Sequence, residues 1–288
     1  PAYMDKTGRN GLRVGDINAT DFEKRYQAIK QKHFGLIKMY PDLEFNLEEQ
    51  EAQFFECIEV LRQLRFVNSE YYVNQALSEG KNILAEGAQG SMLDIDFGTY
   101  PFVTSSNTIS AGVCSGLGIA PNKVREVIGV AKAYCTRVGS GPFPTELSDA
   151  TGEKLRSVGM EFGATTGRPR RCGWIDIPQL LYTIMLNGVT QVIITKLDVL
   201  DVFETVQVAT TYQYNGMQTQ ELPFDIVDNH INPVYAQYPG WNQSLDNIFT
   251  FDELPAKAID YINELERVLK TRISMVSTGP EREKLFAK

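Results

Sequence analysis

The stretch Gly163-Ala-Thr-Thr-Gly-Arg-Pro-Arg-Arg171 puts Arg168, Arg170 and Arg171 beside two threonine hydroxyls and two glycines in an otherwise acidic chain. The chemistry this suits is anion capture. A guanidinium is a planar fork matching carboxylate or phosphate, glycine lets the backbone approach a ligand closely, and Pro169 stiffens the loop between two forks. A solvated basic loop has the same composition, and the Gly-Ala-Thr-Thr-Gly lead-in tips the reading towards binding. A second group, Ile194-Thr-Lys-Leu-Asp198, closes an apolar run, and open α/β sheets place ligands at the carboxyl ends of their strands. One carboxylate there can accept from both N1–H and the exocyclic amine of guanine, neither of which adenine presents, while the Lys196 stem lies along the base. Lys-x-Asp triplets are common by chance, so taken alone this pair reads as an ordinary strand end. Ser277-Thr-Gly-Pro280 also follows a short apolar run. It can close over a purine with a hydroxyl and backbone N–H groups, or simply turn the chain.

Two further stretches carry polar side chains in loops. In Glu86-Gly-Ala-Gln-Gly90, Gln89 offers a donor and an acceptor to a base edge. After Asp94-Ile-Asp96, the run Tyr100-Pro-Phe-Val-Thr-Ser-Ser-Asn107 supplies Thr104, Ser105, Ser106 and Asn107 to phosphate oxygens. Such clusters most often satisfy their own loop backbone, which is the default reading here. Thr136-Arg-Val-Gly-Ser-Gly-Pro-Phe-Pro-Thr-Glu146 reads first as a rigid Gly/Pro turn. No Gly-x-x-x-x-Gly-Lys-Ser/Thr phosphate loop occurs, and Glu79-Gly-Lys-Asn82 has no glycine five residues before Gly80. His33 and His230 are the only histidines, and neither context suggests a Ser/His/Asp or Cys/His arrangement.

The elements that must position these groups follow from periodicity. Thr20 with Glu23 makes a capping-box pattern for a helix running to about His33, and Asn46 precedes helical spacing over residues 47–65 with acids in its first turn. Asn82–Glu86, Val127–Tyr134 and Gln191–Thr195 are short apolar runs suited to strands buried on both faces. A helix from Ile177 to Asn187, stopped by Gly188, lies between the last two and makes a βαβ crossover plausible. Val206–Val227 alternates around Asn215-Gly216, the signal of an antiparallel hairpin. Pro255 opens an amphipathic helix to about Lys270, followed by a strand at Ile273–Val276. The expected class is α/β, in a single domain over residues 1–288, with no internal repeat or linker.

Composition bounds the partners. A 288-residue chain with 43% hydrophobic and 22% charged residues can bury a sizeable core. A net charge of −8 argues against a nucleic-acid surface, which clustered Lys and Arg would provide. No apolar run approaches the ~20 residues of a membrane span, and no basic-then-apolar leader is present, so no membrane partner is expected. Cys57, Cys114, Cys135 and Cys172 have neither zinc spacing nor the pattern of a disulfide framework, and the cytoplasm is the expected compartment.

Read in order, Gly11-Leu-Arg-Val-Gly-Asp16, Glu86-Gly-Ala-Gln-Gly90, Gly98-Thr-Tyr-Pro101, Val103-Thr-Ser-Ser-Asn107, Gly139-Ser-Gly-Pro-Phe-Pro-Thr-Glu146, Gly163-Ala-Thr-Thr-Gly167 and Thr195-Lys-Leu-Asp198 closely resemble the adenylosuccinate synthetases. The resemblance spans essentially the whole chain. It implies a central, largely parallel sheet flanked by helices, like that of the P-loop NTPases, with an antiparallel excursion and helical insertions. It also implies a two-step ligase reaction: GTP phosphorylates O6 of IMP, then the amine of L-aspartate displaces that phosphate, giving adenylosuccinate, GDP and phosphate, with Mg²⁺ on the phosphates. By motif position, Gln89, Thr104 and Arg168 would contact IMP. The loop Ala164, Thr165, Thr166, Gly167, Arg168 and Arg170 would hold aspartate, with Arg170 also facing GTP. Lys196, Leu197 and Asp198 would select guanine, with Ser277, Thr278 and Gly279 completing that pocket. Arg9 would reach IMP across a homodimer interface.

The family pattern also begins with a Gly-Asp-Glu-Gly-Lys-Gly-Lys phosphate loop, whose Asp takes the N1 proton, followed by a catalytic His. Neither is in these 288 residues, so the chain is expected to be the carboxy-terminal two-thirds of such an enzyme, with no catalytic residue and no Mg²⁺ ligand of its own. Missing strands would leave apolar sheet surface uncovered. The alternative reading is a non-catalytic binder of guanine nucleotide or IMP; a regulatory GTPase is a weaker third, without switch regions to support it.

Overall fold

A computed structural model describes residues 1–288 apart from Pro41, Leu43, Glu44, Phe45, Thr166, Asp228, Asn229 and His230. The chain divides into two compact units, Pro1–Ile83 and Leu84–Lys288. The first unit is helical, with α1 (Ala2–Thr7), α2 (Phe22–Ile37), α3 (Leu47–Arg62) and α4 (Ser69–Ser78). Its small core joins Ile17, Phe22 and Ile58 to Phe54, Phe55 and Leu61. Helix α3 starts as its sequence dictates, the Asn46 side chain accepting from Glu49 N at 3.2 Å. The capping box expected at Thr20 does not form. Asp21 is the N-cap of α2 but its side chain caps no backbone N–H, its carboxylate being taken by Arg25 Nε at 3.0 Å.

In the second unit α5 (Ala111–Leu117), α6 (Ala150–Val158), α7 (Ile177–Asn187) and α8 (Ala256–Leu269) accompany three sheets. The main sheet orders β1 (Ile128–Lys132), β5 (Gln191–Thr195), β9 (Ile273–Ser277) and β10 (Leu285–Ala287), with the first three parallel and β10 antiparallel. A two-stranded sheet pairs β2 (Cys135–Arg137) with β3 (Arg171–Gly173). The third holds β4 (Ile175–Asp176), β6 (Thr205–Tyr214), β7 (Met217–Thr219) and β8 (Asn232–Pro239). This α/β class with a largely parallel central sheet is the one expected.

Local chemistry explains the boundaries. Asp176 caps α7 by accepting from Gln179 N at 3.1 Å, and Gly188 ends it at φ 61°, where a side chain is disfavoured. The β6–β7 hairpin turns through Asn215 (φ 48°) and Gly216 (φ 77°), two positive φ values that match the twist of its strands. Along α8, Ala258, Tyr261, Ile262, Leu265 and Leu269 recur every three or four residues and all are buried, so one face closes the core over Ile194, Ile273 and Val276. Each Leu or Ile so buried contributes roughly 1.5–3 kcal/mol.

Two strand expectations need correction. Asn82–Glu86 forms no strand, and Leu84 is 88% exposed. An apolar run extends into a strand only where a sheet edge takes its N–H and C=O groups, and among the described residues no strand pairs with this one. Val127–Tyr134 is not one strand buried on both faces. It yields β1, an edge strand with Val130 69% exposed, and then turns so that β2 joins a different sheet.

Candidate functional site

The register of the main sheet places Lys132 beside Thr195 and Ile194 beside Val276. The residues that leave the carboxyl ends of β1, β5 and β9 therefore share one edge of the sheet: Lys132, then Lys196–Asp198, then Ser277–Gly279. Lys196 turns away from β5 in the left-handed conformation, φ 59°, a costly one for a side chain with a Cβ. Its Nζ donates to Gly159 O at 2.6 Å.

Glu161 lies at the centre of this edge with its side chain fully buried. Its Oε1 accepts from Lys132 Nζ at 2.7 Å and from Tyr134 OH at 2.5 Å, its Oε2 accepts from Arg170 at 2.7 Å, and Lys196 Nζ stands 3.9 Å from Oε1. Burial pushes its carboxyl up, but the bonds from Lys132 and Tyr134 outweigh it and hold Glu161 below the ordinary carboxylate range. Burial likewise draws the Lys132 ammonium below its usual range, against the pull of Glu161.

On the other side of the edge the charges are negative. Asp198 is pushed above the ordinary carboxylate range by burial, with Asp246 and Glu281 adding to the effect, and its Oδ1 is buried without a hydrogen-bond partner. Thr278 is buried, and its Oγ1 is also unpartnered. Ser277 Oγ donates to Gly279 O at 2.8 Å. Asp201, accepting from Trp241 Nε1 at 2.7 Å and from Leu245 N at 2.8 Å, is raised by burial to about 6.

The arginine-rich loop is a tight hairpin. Arg170 N donates to Glu161 O at 2.9 Å, Gly163 N to Arg168 O at 2.8 Å, and Gly167 N to Gly163 O at 2.8 Å, with Gly167 at φ 64°. Its three guanidinium groups point to different tasks. Arg170 turns in to Glu161, leaving its Nε buried and unpartnered. Arg171 binds Glu146 and the carbonyls of Gly139 and Gly141, which pins the Gly/Pro turn as architecture. Arg168 is exposed, as are Ala164 and Thr165, whereas Thr166 lies outside the described residues.

Gln89 sits at φ 66° in an exposed loop, and Thr104 N donates to Leu93 O at 2.9 Å. That region is organised by fully buried Asp94, whose carboxylate accepts from the backbone N–H groups of Asp96, Phe97, Thr108 and Ile109. Arg9 belongs to the first unit, at φ 62° just past α1, and lines a cavity of about 400 Å³ with Asn10, Arg25 and Lys32. Nearby, buried Asp5 takes Lys32 and His33, the latter at 2.6 Å, and these bonds hold its carboxyl below the usual range. His230 lies outside the described residues. Among the described residues no three His, Cys, Asp or Glu side chains are grouped to hold a metal ion, and no helix is long and apolar enough to cross a membrane.

The structure thus brings Lys196, Asp198, Ser277, Thr278 and Arg170 to one sheet edge and adds Lys132, Tyr134 and Glu161, which the motifs did not flag. Lys132 ends β1 but stands inside the run Val127–Tyr134, so no local pattern singled it out.

Residues 1–286 match the family model described as adenylosuccinate synthetase. The chain is 53% identical over its full length to the adenylosuccinate synthetases of Flavobacterium johnsoniae and Flavobacterium psychrophilum, spanning 68% of each. A solved structure of fully ligated adenylosuccinate synthetase from Plasmodium falciparum is 40% identical, with a TM-score of 0.92 over all of this chain and 68% of that one. By the family match over residues 1–286 and the whole-chain similarity, this chain belongs to the adenylosuccinate synthetase family, a family of purine-biosynthetic ligases with a P-loop-type fold.

Proposed function

We propose that this chain holds the guanine-nucleotide and aspartate sites of a ligase that joins IMP to L-aspartate. The observation that carries the reading is the two-sided sheet edge. Unpartnered Asp198 Oδ1 offers the acceptor that guanine requires, with Lys196 beside it along the base, while Lys132 and Arg170 supply the positive side that phosphates require. In an orientation that serves both, the base lies by Asp198 and Thr278 and the phosphates lie towards Glu161 and its cations.

In this reading Arg168 and Arg170 take the aspartate carboxylates, Ala164 to Gly167 shape the loop around them, and Gln89, Thr104 and Arg168 contact IMP. Arg9 reaches the IMP site of the second copy in a homodimer, and the compartment is the cytoplasm. The family uses Mg²⁺, which would neutralise charge on the phosphates. In this reading its contacts come from the phosphates and from the phosphate-loop segment of the family pattern. The chemistry is balanced as O6 of IMP attacking the γ-phosphorus of GTP with GDP leaving, then the aspartate amine attacking C6 with phosphate leaving. Enzymatic phosphoryl transfer of this kind depends on alignment and charge neutralisation, which a fixed cation cluster provides.

IMP labelled with ¹⁸O at position 6 tests the reaction in the protein that carries this chain. Label recovered in phosphate, with adenylosuccinate and GDP formed, is the expected result. Label released to water would contradict the 6-phosphoryl intermediate, and nucleotide binding with no product would leave the alternative, a binder without turnover.

A further inference from the structure

Glu161 is the residue at this edge whose surroundings most exceed the needs of folding. A fully buried carboxylate with one cation would already be neutralised, yet Lys132 and Arg170 both bond to it and Lys196 approaches to 3.9 Å. Bringing like charges together is costly unless something else draws on them. Lys132 keeps an outlet, its side chain being 26% exposed, and Arg170 retains a buried Nε with no partner. A buried charged donor left open in a well-packed fold points to a ligand. The left-handed backbone of Lys196 adds a local cost at the same place.

We infer that Glu161 is a positioning residue for the anionic part of the ligand, holding Lys132 and Arg170 in one array so that their remaining donors meet a phosphate. The inference rests on the proposed nucleotide site and assigns to it a residue that makes no ligand contact itself. Oε1 fixes Lys132 at the end of β1, with Tyr134 OH as a second donor and Thr136 Oγ1 accepting from Lys132 Nζ at 2.9 Å; Oε2 fixes Arg170 at the foot of the loop hairpin. One side chain therefore couples strand β1 and the 161–170 hairpin. A glutamine in its place keeps the size but loses the charge that holds the cations together, and its amide adds donors where acceptors are needed.

The test compares GDP with guanosine, because Lys132 and Arg170 serve the phosphates and leave the base to Lys196 and Asp198. Calorimetry on the protein that carries this chain and its Glu161→Gln variant, with melting temperatures taken alongside, should show GDP binding weakened at least tenfold and guanosine binding unchanged. Glu161→Asp, which keeps the charge on a shorter stem, should recover part of the GDP affinity; where Glu161→Gln does not fold, Glu161→Asp against wild type carries the same comparison with a loss of several-fold. Equal weakening of GDP and guanosine would show a structural role only and overturn the inference, as would no change in either. If the wild-type protein binds neither ligand, the nucleotide site itself is wrong, a failure distinct from that of Glu161.

Discussion

Asp94 accepts four backbone N–H groups, from Asp96, Phe97, Thr108 and Ile109, whereas Asp198, in the same unit, keeps a buried Oδ1 with no partner. Burial pushes both carboxyls up. At Asp94 the four N–H groups outweigh burial and the group sits below the ordinary range; at Asp198 burial and two acidic neighbours prevail and the group sits above it. The contrast separates a carboxylate whose acceptors the fold fills from one that the fold leaves open, and the proposed function gives the open one a ligand. A satisfied buried acid contributes stability, and an unsatisfied one costs stability in exchange for recognition.

The largest effect that would break this comparison is at Asp94. Asp94→Ala leaves four N–H groups without an acceptor, and urea denaturation should show a loss of about 3 kcal/mol. A loss under about 0.5 kcal/mol would mean that the loop does not depend on Asp94. A second effect, on the order of 1 kcal/mol once solvent screening is allowed for, concerns Asp201. Its folded value, raised to about 6, lies above its unfolded value, so the folded state binds the extra proton and this group's contribution falls as pH rises from about 4 to about 6. The stability of Asp201→Asn relative to wild type should therefore improve across that interval; a difference constant with pH would refute the shift. The smallest effect belongs to Thr278, whose hydroxyl is buried and unpartnered. Thr278→Val removes that hydroxyl at nearly equal size, and a melting curve should show stability unchanged or higher by up to about 1 kcal/mol, with GDP binding weakened. A stability loss above about 1 kcal/mol would place Thr278 with Asp94 as a structural group.

Much of the scaffold was legible because short-range chemistry decides it. Asp176 and Gly188 bound α7 at the residues expected, and Asn215-Gly216 makes the expected hairpin. Asn82–Glu86 misled because apolarity specifies burial only when a partner strand is present, and partnership is a long-range property. Lys196 and Asp198 could be singled out as a candidate pair because they stand two positions apart at the end of one strand. Glu161 was not: its partners Lys132, Tyr134, Arg170 and Lys196 lie up to 35 positions away, and only the register of β1 with β5 assembles them. The three arginines read as one clamp in sequence, and the structure divides them, with Arg171 committed to Glu146 and Arg170 to Glu161.

The most direct test of the claim that Asp198 is a ligand-reading acid is calorimetric binding of GDP and of xanthosine diphosphate to wild type and to Asp198→Asn. Xanthine carries an oxygen where guanine carries its amine, and an amide offers one acceptor and one donor where a carboxylate offers two acceptors. Wild type should prefer GDP, and the variant should lose at least tenfold in GDP affinity while turning to the xanthine nucleotide, with its stability unchanged. Equal GDP binding by both proteins would contradict the account and return Asp198 to the status of an ordinary strand-end acid.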